Sequence, residues 1–133
     1  MWWRHASRRQ HGQHGQSVVE MALLLPAFLL LVLGMLDLGR AVYTYNVLSN
    51  AVRDGCRIAI VDSNTNAAVI QAVLQSAVAV NLSPANVTIS GARTPGSTVT
   101  VSALFVFQPV TPLIQGIVGT AIQLRAQSAM VVD

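Results

Sequence analysis

The chain has 133 residues, of which 53% are hydrophobic and only 10% are charged. This balance excludes a disordered tail and argues against an ordinary soluble domain. All eight basic residues are Arg, and three of them, Arg4, Arg8 and Arg9, lie in the first 15 residues, so the rest of the chain has a formal net charge of zero. The basic excess therefore gives no reason to expect a nucleic-acid partner.

Residues 1–15 are polar and basic, and they show neither the period of a helix nor that of a strand. We interpret them as an unstructured leader on the cytoplasmic side of a membrane.

An apolar segment follows at residues 18–36, where Glu20 is the only charged residue. A helix needs about 20 mainly apolar residues to cross a bilayer, so we predict a transmembrane helix over residues 16–40. The Arg-rich leader places its N-terminus in the cytoplasm. Asp37 and Arg40 are expected to form a pair where the helix leaves the membrane. A cleavable secretory signal is the alternative, but such a signal has a shorter apolar region and a small-x-small cleavage site, which this segment lacks.

Two residues inside the apolar segment need an explanation. Pro26 removes a backbone donor, and it predicts a kink or a loosened turn rather than a helix end, because the apolar pattern continues beyond it. Glu20 either lies at the water boundary or has a cationic partner, because a carboxylate inside an apolar span is costly.

Residues 41–61 keep a helical period, which predicts that an amphipathic helix continues out of the membrane and makes one helix of residues 17–61. Its apolar stripe consists of Ala41, Tyr45, Leu48, Val52, Gly55 and Ala59. Its polar stripe consists of Asn46, Asn50, Arg53 and Arg57.

The rest of the chain predicts an α+β domain. Residues 67–80 indicate a second helix, which Pro84 follows. A period of 2 predicts three antiparallel strands, at residues 87–90, 99–107 and 122–132. Residues 62–133 alone would form a marginal core, so we expect the first helix to pack on the sheet and complete a domain of residues 41–133.

The residues of an enzyme active site are missing from the predicted exported part. All three His lie in the leader, Cys56 is the only Cys, and no motif for phosphate, zinc or acyl-transfer chemistry is present. We therefore predict no enzyme activity, no metal site, no cofactor and no small-molecule substrate. Cys56 is expected to be a small buried side chain, since it lies one helical turn from Val52 and Ile60.

The sequence of Gly15 to Glu20, followed by an apolar helix, resembles the processing signal of type IV prepilins. The strings G-Q-S-V-V-E-M-A-L-L-L-P, L-D-L-G-R-A-V-Y and N-V-L-S-N-A-V-R-D-G-C-R are similar to the TadE-like family of tight-adherence (Flp) pilus assembly proteins. Met21 departs from the pattern, because processed Flp-type signals favour Tyr after the Glu.

The resemblance implies a pilin-like fold and a minor pilin or pseudopilin of the bacterial inner membrane, with its C-terminal domain in the periplasm. It implies cleavage between Gly15 and Gln16 by a prepilin peptidase, and the major Flp pilin and other tight-adherence subunits as partners. Glu20 would then pair with the new amino terminus of a neighbouring subunit. The alternative is a bitopic periplasmic binding or envelope-complex module that keeps its signal as an anchor.

Overall fold

Residues 12–61 and 64–132 are described by the computed structural model, and they form three helices and one sheet. The helices are α1 (Gly12–Ala59), α2 (Asn66–Ser76) and α3 (Pro112–Val118). A 3-10 turn at Pro84–Asn86 precedes the strands β1 (Val87–Ser90), β2 (Thr98–Phe107) and β3 (Ile122–Val131). The predicted fold class, α+β with a long N-terminal helix and a small antiparallel sheet, is confirmed.

The long helix α1 has 48 residues, which corresponds to a length of about 70 Å. It begins at Gly12 rather than at Ser17, so the prediction that the whole leader is unstructured is wrong for residues 12–15. Adding one turn to an existing helix is easier than nucleating it, because each further residue gains a hydrogen bond. Residues 1–11 of the predicted leader lie outside the described residues.

Pro26 lies inside α1, and the helix continues on both sides of it. The proline is therefore not a helix end. The bend expected at this position stays a prediction.

The sheet is an antiparallel meander with the order β1-β2-β3. One end of the β2–β3 ladder pairs Phe107 with Ile122, and the other pairs Thr98 with Val131. The outer end of α1 lies beside the second of these ends, since the Cys56 Sγ is 3.8 Å from the carbonyl oxygen of Val99. The Thr98–Val131 end of the sheet therefore lies beside the C-terminal end of α1, and the Phe107–Ile122 end lies nearer to its middle.

The core forms where the outer part of α1 meets the sheet and α2, as expected from the amphipathic pattern. Leu48, Val52 and Ala59 are at most 1% exposed, and the predicted polar stripe is exposed. The prediction is wrong for Tyr45, which is 48% exposed. The end of α2, at Ser76, contacts Asp54, which is nine residues beyond Tyr45 along α1, so α2 does not cover the Tyr45 side chain.

The second helix, α2, ends at Ser76, four residues before the predicted end at residue 80. The hydroxyl of Ser76 donates to the Asp54 carboxylate at 3.0 Å, which fixes this end against α1. The chain then leaves the helix and buries Val80 and Leu82, both 7% exposed. Val80 and Leu82 are two residues apart. Side chains at this spacing point to the same side in extended backbone but to different sides in a helix, so a helix that continued here could not bury both against the same surface.

The helix α3 was not predicted, because Pro109 and Pro112 indicated only the end of the strand before them. Pro112 occupies the first turn of α3, where its missing N–H has no helical partner to lose. Gly119 ends the helix with a φ of +88°. Seven residues are too few for a reliable helical period, so the sequence pattern did not separate this helix from a loop.

Candidate functional site

The predicted site residues all lie on α1, and apart from Pro26 they form two groups. Gly15, Gln16 and Glu20 lie near the start of the helix, and Asp37 and Arg40 lie near its middle. Glu20 and Asp37 are separated by about 25 Å along the helix axis. The fold does not bring the two groups together, so each is described by itself.

The first group lies on an apolar surface. Glu20 is exposed, and its neighbours Val19 and Met21 are 61% and 63% exposed. The ion pairs of residues 12–61 and 64–132 are Asp37–Arg40 and Asp54–Arg57, so no described cation neutralises Glu20. The helix thus presents one carboxylate among apolar side chains.

This surface extends along the first half of α1. The described residues contain one helix that is long and apolar enough to cross a membrane, with a mean hydropathy of 2.4 in its most apolar window and none of that window buried. A single-pass membrane anchor fits this helix by length and composition. Large exposed apolar patches mark interaction or membrane surfaces, so this half of α1 is a candidate contact surface.

The second group is a polar connection between α1 and the loop before α3. Asp37 is 4% exposed, and its Oδ2 accepts hydrogen bonds from the backbone N–H groups of Val110, at 2.9 Å, and Thr111, at 2.7 Å. Its Oδ1 lies 3.1 Å from Nη1 of Arg40. All of these hydrogen bonds involve the charged carboxylate, which makes them stronger than neutral ones.

Arg40 joins this connection to the end of β2. Its guanidinium lies over the ring of Phe107, 5.4 Å from the ring centroid, an arrangement that favours a cation on an aromatic face. Gln115 adds a further contact, because its Nε2 donates to the carbonyl oxygen of Pro109 at 2.7 Å. Asp37 therefore holds the loop that enters α3 to α1, and Gln115 holds the same loop to α3.

The structure places Asp37 and Arg40 in contact, and their position at a membrane boundary stays a prediction. The sequence analysis missed the partners at Val110 and Thr111. They bind through backbone N–H groups, which nearly every residue carries, so residue identity holds no signal for them.

Cys56 is fully buried, as predicted. Its thiol donates to the carbonyl oxygen of Ser128 at 3.0 Å. In the part of the chain that the structure describes, no three His, Cys, Asp or Glu side chains lie together as metal ligands would.

A family model described as TadE-like protein matches residues 15–57. The match confirms the resemblance, and it contains every predicted site residue. It covers α1 from Gly15 onward and stops before α2 and the sheet. No curated protein and no solved structure matches the chain.

Proposed function

We propose that this chain, with its TadE-like residues 15–57, is a minor pilin or pseudopilin-type subunit that helps to assemble a tight-adherence pilus and is not an enzyme. The observation that carries the proposal is the division of α1. Its first half is apolar, exposed and interrupted by Glu20, whereas its second half is packed in the domain core. A helix of this kind anchors a folded domain and leaves a free surface for other helices.

The exposed half of α1 suits two environments in turn. Before assembly, lipid would surround it, since its apolar segment is long enough to cross the bilayer. After assembly, the helices of neighbouring subunits would replace the lipid. The Arg-rich leader would keep the N-terminus in the cytoplasm of a bacterial inner membrane and place the domain in the periplasm.

Glu20 favours packing of α1 against the helices of neighbouring subunits. A carboxylate in an apolar surface is stabilised when a cation is close and well hydrogen-bonded, and no described residue of the same chain supplies one. Cleavage between Gly15 and Gln16 would create an α-amino group that is largely protonated at neutral pH. The amine of a neighbouring subunit would then pair with Glu20 and fix the register between the two helices.

Processing by a prepilin peptidase is therefore the first step of the proposal. The bond between Gly15 and Gln16 lies one turn inside α1, where helix ends fray easily. A Cβ added to Gly15 would meet nothing within 4 Å, so a substitution there tests the peptidase and not the fold. The peptidase, the major Flp pilin and other tight-adherence subunits are the proposed partners.

The intact mass of the membrane-extracted protein tests this function. We expect a mature chain that begins at Gln16, and a full-length chain for Gly15→Val expressed with the same peptidase. If both proteins have the mass of the full chain and neither copurifies with pilin subunits, the chain is a membrane-anchored module with an uncleaved signal.

The orientation has its own test. A reporter that is active only in the periplasm, fused after Asp133, should be active. A cytoplasm-only reporter that is active at the same position would exclude the pilin-type topology.

A further inference from the structure

The surface that α3 and the residue before it present to solvent is apolar. Residues 94–124 contain no charged residue. Within this stretch, Leu113 is 55% exposed and Ile117 is 77% exposed. They are four residues apart on the helix, so they lie side by side on one face. Val110, at 66%, extends this surface toward β2. We call Val110, Leu113 and Ile117 the α3 surface.

The position of α3 along α1 relates this surface to the apolar span. Its first N–H groups lie at the level of Asp37, to which Thr111 donates. One turn further on, the Cδ1 of Ile114 lies 3.8 Å from where a Cβ of Gly34 would be. Gly34 belongs to the apolar segment of residues 18–36, so the first turn of α3 packs against the last turn of that segment.

The length of the apolar segment indicates how deep α3 would lie in the bilayer. From Val18 to Asp37 the helix rises by about 29 Å, which is close to the thickness of a bilayer's hydrocarbon core, about 30 Å. If this segment fills the core, Gly34 and Ile114 lie in its last turn. The exposed side chains of α3 then lie at the level where apolar faces of interfacial helices insert, about 5–10 Å into the boundary.

We infer that the α3 surface inserts into the outer leaflet of the membrane that α1 crosses, so that the domain contacts lipid at a second site. The inference rests on the membrane anchoring proposed above. Lipid is the occupant because the surface is continuous with the span, carries no charge and lies at the depth of the acyl-chain boundary. Asp37, the nearest acid, is satisfied by its N–H donors and Arg40, so it does not oppose this position.

Tryptophan fluorescence in vesicles tests the contact. The full chain, with Trp2 and Trp3 replaced by Phe, receives one Trp in place of Ile117 and is reconstituted at low protein density. The vesicles contain phosphatidylethanolamine and phosphatidylglycerol with bromine near the top of the acyl chains. We expect a blue shift and a loss of emission for Ile117→Trp, because bromine quenches Trp only at close range. Leu113→Trp, on the same face, should behave alike.

Two reference positions separate lipid contact at α3 from membrane anchoring by α1. Leu29→Trp reports on the span, because Leu29 lies in its middle and is 49% exposed. Val131→Trp is the matched control, because Val131 is also exposed, at 56%, but lies at the opposite end of β3. That end is about 30 Å along the strand from Ile122. In each variant, slow reaction of Cys56 with a thiol reagent shows that the domain is folded.

The contact is supported if bromolipid quenches Ile117→Trp and Leu29→Trp but not Val131→Trp. Quenching of Leu29→Trp alone would overturn it, leave the anchor intact and assign the α3 surface to a protein partner. Quenching of neither would overturn both the contact and the anchor. Equal quenching at Ile117 and Val131 would also overturn it, since the whole domain would then lie on the lipid.

Discussion

The backbone nitrogen of Thr111 lies 2.7 Å from the carboxylate of Asp37, although the two residues are 74 positions apart in the chain. This hydrogen bond and its neighbour from Val110 attach the loop before α3 to the middle of the long helix. The apolar half of α1 and the domain are therefore joined by a polar contact in addition to the continuous helix itself.

Removing the Asp37 carboxylate should destabilise the domain. Asp37→Ala leaves two N–H groups without an acceptor and should lower the free energy of unfolding, because a hydrogen bond to a charged acceptor is stronger than a neutral one. Denaturant unfolding of the detergent-solubilised protein measures this change. Asp37→Asn should have a smaller effect, because one acceptor oxygen remains.

Arg57→Ala is the control for this experiment. Arg57 and Asp54 also form an ion pair at spacing i,i+3, but the distance is 3.9 Å and the side chains are 67% and 49% exposed. An exposed pair of this kind contributes less than about 1 kcal/mol. Equal losses from Arg57→Ala and Asp37→Ala would show that the attachment of the loop is not what Asp37 stabilises.

Gly55 lies where α1 approaches α2 most closely, and Gly55→Ala should destabilise the core. The added Cβ would overlap Cγ2 of Val73 and would lie 3.5 Å from Cγ1 of Val101. Val73 is fully buried and β-branched, so it cannot rotate away and α2 must shift. We expect a loss of about 1–3 kcal/mol in unfolding free energy.

The same substitution at Gly39 should have the opposite sign. A Cβ at Gly39 would meet nothing within 4 Å, and Ala is favoured over Gly inside a helix by about 0.5–1 kcal/mol. Thermal unfolding of the two variants compares them directly. A Gly55→Ala protein as stable as Gly39→Ala would exclude the close helix contact.

The Cys56 thiol should be unreactive in the folded protein. It is fully buried and donates to Ser128, so a maleimide can reach it only when the domain opens. Labelling followed by mass spectrometry should be slow in native conditions and complete in denaturant. Asp37→Ala should accelerate native labelling, whereas fast labelling of the wild-type chain would contradict the packing of α1 on the sheet.

The Glu20→Gln variant should separate anchoring from assembly. It keeps the shape of the side chain and removes the charge, so membrane insertion should be unchanged or slightly improved, since a charged residue in a span costs up to about 2.5–3.5 kcal/mol. Recovery together with pilin subunits should fall. Met21→Leu, at the next exposed position, is the control and should copurify as the wild type does. Undiminished copurification of Glu20→Gln would make Glu20 a boundary residue without an assembly role.

Local patterns were sufficient for the long helix and for the strands of this fold. The apolar segment, the stripe from Leu48 to Ala59 and the alternation in β2 and β3 repeat with the period of the structure that they form, so each can be recognised without knowledge of the rest of the chain. The same holds for the burial of Cys56, which follows from its place in the helical stripe.

The sequence by itself therefore determined the long helix, its division into an apolar and an amphipathic half, and a sheet for the second half to cover. Only the tertiary structure decided where α2 stops, that residues 112–118 are helical, and which groups satisfy Asp37. These features depend on contacts between distant segments, such as Ser76 with Asp54 and Thr111 with Asp37. The Thr111 contact uses a backbone N–H, which carries no residue identity that a sequence pattern can reveal. The Ser76 hydroxyl meets Asp54 only because packing places α2 beside α1.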